Sequence, residues 1–133
     1  SASGRLGKLE LHREGTQTWA GGPHFMERMV EGGKAVVDHF GSRITYLSVM
    51  RRMRVDCDCV GTAAEEPTVK DIGILASTDI LAIDKAAVDM IYALPEKERH
   101  ALVERIESRS GLRQLSYMRE LNMGTDQYDL IEI

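Results

Sequence analysis

Cysteine is nearly absent from this sequence. Only Cys57 and Cys59 occur, two positions apart. A disulfide-stapled scaffold needs several pairs spread along the chain, so that class is excluded. A bridge between residues i and i+2 would close a small, strained ring. Two reduced thiols in a reducing cytoplasm are therefore expected. Proline is scarce too, with three in 133 residues, and no Pro/Ser-rich linker, internal repeat or low-complexity tract interrupts the chain after its first segment. No apolar run approaches the roughly 20 residues that a bilayer demands. The opening SASGRLGKLELHREG has no apolar signal core, so no membrane partner is expected. Basic charge is not in excess either: 17 Lys plus Arg stand against 21 Asp plus Glu, a net −4. That balance argues against a nucleic-acid partner. A Gly-rich phosphate loop, a Ser/His/Asp nucleophile motif and an H-E-x-x-H zinc motif are all missing.

What remains is a length and composition suited to one globular domain. Hydrophobic residues make up 43% and charged ones 29%, which is ordinary for a packed chain. Residues 1–23 read as a Gly-rich N-terminal arm with a short strand at Lys8–His12, and 24–133 as a single domain. The chain does not begin with Met, which suggests a piece of a longer protein.

His24 to Phe40 predicts an amphipathic helix. Phe25, Met26, Met29, Val30, Val36, Val37 and Phe40 fall within one arc of about 140°. Gly33 sits inside that arc, where it suggests close approach of a neighbouring backbone, and Gly41 supplies the stop. Ile44–Val55 predicts a strand, apolar on both faces at first, as in the interior of an α/β sheet. Ile72–Ala76 predicts another. Ser77-Thr78-Asp79 forms an N-cap cluster for a helix over 80–94. Helices over 96–108 and 112–123 follow, separated by Gly111, with Gly124 as the last cap. Tyr128–Ile133 reads as a terminal strand. The order predicts an α/β fold, a small mixed or mostly parallel sheet layered with helices.

Asp56-Cys57-Asp58-Cys59 stands where the long strand runs into a loop. In extended backbone, i and i+2 share a face. Cys57 and Cys59 then point one way, as half of a tetrahedral sulfur site for zinc or an iron–sulfur cluster, and Asp56 and Asp58 point the other. The bland alternative is a pair of small residues buried at a strand end. Asp84 is the second anomaly, a carboxylate within an apolar helix stripe, with Ile80, Ala87 and Ile91 on one side of it and Leu81 and Val88 on the other. Burial there is costly without partners, and the expected partners are backbone donors of the 57–71 loop. Asp79 reads as an N-cap and Asp89 as a solvated surface residue. Arg51, Arg52 and Arg54 are balanced by Asp56, Asp58, Glu65 and Glu66. Trp19 reads as an anchor for its loop. His12, His24, His39 and His100 are scattered, without ligand spacing.

The run Asp56-Cys57-Asp58-Cys59, then Pro67, then Asp71-Ile72-Gly73-Ile74-Leu75-Ala76-Ser77-Thr78-Asp79 through Asp89, resembles the C-terminal part of the domain of unknown function (DUF) 362 proteins. Gly7–His12 and the stretch 115–133 are similar to theirs as well. The resemblance implies a prokaryotic protein of an iron–sulfur or ferredoxin-associated group. Many members carry a ferredoxin-type cluster insert, and this chain has only the short 13–23 loop at that place. The resemblance also implies a missing N-terminal half.

Three functional readings stand side by side. The first is an α/β domain binding a metal or iron–sulfur centre through Cys57 and Cys59, with Asp56, Asp58 and Asp84 in support. The second is a non-catalytic assembly domain with structural cysteines. The third is a thiol-based redox enzyme. A thin sheet leaves unpaired edges, so either a second copy or the missing N-terminal half is expected to cover them, with Leu102 and Ile106 as contact candidates.

Overall fold

A computed structural model describes residues 22–55 and 69–133. The first helix, α1, spans Pro23–Phe40. Pro23 suits its first turn, where an N–H has no helical partner to lose. The helix stops at Gly41, whose φ of +54° favours glycine and whose N–H donates to Val37 O. Only Met26 and Val30 of the expected apolar arc are buried, while Met29, Val36 and Phe40 stay exposed. Among the described residues, a Cβ on Gly33 would meet nothing within 4 Å. No described backbone therefore makes the close approach expected at Gly33.

Strand β1 is Tyr46–Met50 and strand β2 is Gly73–Ser77. The strand expected to reach Val55 ends five residues sooner, and just beyond its end the chain turns at Arg52, with φ +50°. The α/β class holds, but the pairing among the described residues is antiparallel rather than mixed or mostly parallel. Met50 pairs with Gly73, and Tyr46 with Ser77. The chain thus leaves β1 and enters β2 at the same end of the ladder. A parallel pair would have needed a crossover to the far end.

Helix α2, Ile80–Ala93, opens on Asp79, whose Oδ1 accepts from Ala82 N at 2.9 Å. It packs across both strands and touches the last two helices. Its Leu81 is fully buried. Helix α3, Glu96–Ser108, follows the break at Pro95, and helix α4 is Leu112–Glu120. At Gly111 between them a Cβ would lie 3.0 Å from Ile106 O, so the turn has little room for a side chain. Val30, Leu81, Met118 and Met123 form a core where α1, α2 and α4 converge. Arg113 ties α4 to α1 through Glu27 and also pairs with Glu120.

After α4 the chain is irregular to Ile133. The terminal strand expected over Tyr128–Ile133 does not form: these residues take no part in the β1–β2 ladder, which is the sheet among the described residues.

Candidate functional site

The expected cysteine site grows from the loop joining β1 to β2. Asp56, Cys57, Asp58 and Cys59 lie outside the described residues, as do Trp19 and His12. The neck of the loop is described. Ile72 N donates to Met50 O at 2.9 Å. The Asp71 carboxylate accepts from Arg52 N at 2.8 Å and from Arg51 Nε at 2.9 Å. The Arg52 N–H, then the Arg51 guanidinium, hold the Asp71 carboxyl below its ordinary range. Val69 is buried, so both ends of the loop are anchored. This partner of Arg51 was not legible in advance, since nearer carboxylates competed for it in the sequence.

Asp84 lies one turn into α2 and is about half-buried. Burial pushes its carboxyl above the ordinary carboxylate range. No hydrogen bond from a described residue reaches it, including from residues 69–71 at the end of the loop expected to serve it. Among the described residues no cluster of three or more His, Cys, Asp or Glu could hold a metal ion.

The most distinctive surface is the outer face of the sheet. Alternation along the strands sends Tyr46, Ser48, Met50 and Leu75 inward and their neighbours outward. The outward set is Leu47, Val49 and Ile74, exposed at 69%, 59% and 62%, with Ala76 beside them. Register places Leu47 opposite Ala76 and Val49 opposite Ile74, so the four form one contiguous apolar patch. The strand expected to be interior therefore has one face that no described residue covers. Leu102, expected at an association surface, is instead buried, at 7% exposure.

Asp89 was read as solvated. It pairs with Lys85 and accepts from Tyr128 Oη at 2.9 Å. The Lys85 ammonium first, and the Tyr128 hydroxyl with it, hold its carboxyl low against the opposing effect of burial. Asp79 does more than cap. Its Oδ2 accepts from Thr125 N at 2.9 Å. Gly124, at φ +153°, lies so close that any Cβ there would collide with the Asp79 carboxylate. Only the glycine was visible in the sequence, as a helix stop.

No described helix is long and apolar enough to cross a membrane. The profile of a family described as "Domain of unknown function (DUF362)" matches residues 1–89. That span takes in α1, both strands, the loop between them and α2 as far as Asp89. No curated protein and no solved structure matches the chain.

Proposed function

Because the chain belongs to the DUF362 family, with β1 and β2 inside the matched span, we propose that it acts as an assembly unit, docking a second copy through the outer face of its sheet. The observation carrying this reading is the patch of Leu47, Val49 and Ile74, each more than half exposed. A patch without charge costs free energy in water and is relieved by burial against its like. A two-fold contact doubles one self-complementary face, so a second copy meets the requirement without any further surface. The family's N-terminal half is the other candidate occupant.

A metal or iron–sulfur centre at Cys57 and Cys59 is the second reading. The chain holds two cysteines, and two thiolates do not complete a four-sulfur site. One copy alone therefore does not fit such a group. Two copies would supply four thiolates, which joins this reading to assembly and to a reducing, cytoplasmic setting. Asp56, Asp58 and Asp84 would then shape the local charge. The redox reading is the weakest, because carboxylates flanking the cysteines disfavour the thiolate.

Light scattering on the full chain is the test. A mass twice 14.9 kDa is expected, falling to the single-chain mass in Leu47→Glu and in Ile74→Lys. A single-chain mass at every concentration overturns the assembly reading. Metal analysis after anaerobic reconstitution tests the second reading separately. Folded protein that retains no metal overturns it and leaves assembly standing.

A further inference from the structure

An open cleft of about 370 Å³ lies between α2 and α4, away from the sheet. Its polarity follows from helix direction. Asp79 at the start of α2 holds Thr125, just past the end of α4, so the two helices run oppositely along the cleft. Lys85 and Asp89 of α2 therefore line the same end of the cleft as Arg119 at the end of α4, with Asp126 paired to it. Toward the other end stand Tyr92 of α2 and Leu112 of α4. Val88 and Leu115 line the space between.

The charged end carries two groups of each sign. Lys85 pairs with Asp89, which also accepts from Tyr128 Oη at 2.9 Å, and Arg119 pairs with Asp126 at 2.8 Å. All four side chains are a third or more exposed. Ion pairs of this kind are worth at most about 1 kcal/mol, so a ligand can exchange with them at small cost. A lone anion or a lone cation would find as much repulsion as attraction here. A molecule bearing both charges close together finds partners for each.

We propose that this cleft binds a small zwitterion with an apolar side chain, an α-amino acid of the leucine or phenylalanine type. Its carboxylate faces Lys85 and Arg119, and its ammonium faces Asp89 and Asp126. Its side chain lies over Val88 and Leu115, toward Tyr92 and Leu112. Charge balance at one end and apolar lining at the other match that class. The α4 wall and Asp126 lie beyond residues 1–89, so the cleft lies partly outside the span that matches the family.

The test is an amide NMR titration of the full chain with L-leucine and L-phenylalanine. Hexanoate and hexylamine, each carrying one of the two charges, serve as controls. Saturating shifts confined to 85–92 and 112–126 are expected with the amino acids, and affinity about tenfold weaker with either control, a difference of about 1.4 kcal/mol. Arg119→Met and Asp89→Asn should each weaken binding similarly while the amide spectrum elsewhere stays that of the folded chain. Absence of saturation at the cleft overturns the proposal. So does hexanoate or hexylamine binding as tightly as leucine, or amino-acid binding unchanged in Arg119→Met.

Discussion

The helices and the sheet solve the problem of apolar surface in opposite ways. Where α1, α2 and α4 meet, Val30, Leu81, Met118 and Met123 cover one another. Arg113 and Asp79 then clasp the joint from outside. The sheet covers only its inner face, against α2, and leaves Leu47, Val49 and Ile74 in water. Residues of the same chemical kind therefore hold different roles: those of the helices hold the chain together, and those of the outer sheet face remain available to something else.

Truncation at matched positions would expose that contrast most sharply. Leu81→Ala removes a side chain with no exposed surface and should cost about 3 kcal/mol in urea denaturation, by lost burial plus a cavity. Leu47→Ala, the same chemical change on the bare face, should cost the isolated chain no more than about 0.5 kcal/mol. Equal losses would erase the distinction between the two regions.

The Asp79 clasp comes next. Gly124→Ala forces a Cβ into the Asp79 carboxylate and strains a positive φ, for an expected loss of roughly 2 kcal/mol. Asp79→Ala should cost about 1 kcal/mol through the lost cap, with Thr125 N left without its partner. The two changes act on one contact, so the double variant should lose less than their sum. Full additivity in thermal unfolding would show that the clasp is not a single unit.

The smallest effect concerns Asp84. Burial raises its folded pKa, so the folded chain holds the proton more tightly than the unfolded chain does. Stability therefore falls as pH rises from the ordinary carboxylate range through the raised folded value. Asp84→Asn abolishes that ionisation. It should add about 0.5 kcal/mol at neutral pH, kept small by the water still reaching the group, and nothing in acid. Denaturation curves at the two pH values check the sign. A destabilised Asp84→Asn at neutral pH would mean that the carboxylate has a partner.

Much of this architecture was legible because local chemistry dictated it. Gly41 ends α1, Asp79 opens α2, Pro95 divides α2 from α3, and Gly111 separates α3 from α4, whereas Pro23 was read as part of the arm and in fact opens α1. Each acts within a few residues of itself. Strand pairing was not legible, since the sense of a ladder depends on where the intervening chain travels. The tail from Tyr128 has a strand-like pattern, but a pattern cannot supply a neighbour. Ion pairs were the least legible feature. Arg51 pairs with Asp71, 20 positions away, and Asp89 gained Tyr128 from 39 positions away. The cysteine positions of the candidate site rest on sequence alone, whereas the bare sheet face emerged only from register and burial.

The neck at Asp71 has a consequence for how the protein can be altered. Met50, Arg51 and Arg52 on one side and Asp71 and Ile72 on the other are stitched by three hydrogen bonds. The described end of the ladder is thus fixed by bonds among its own neighbouring residues. Once a loop is closed, doubling its length costs only about 0.6 kcal/mol of entropy. The loop that this neck closes is the natural place to graft foreign sequence, such as an epitope, a reporter peptide or a longer metal-binding segment. Whole modules could come and go there over evolutionary time while the framework beneath kept its register.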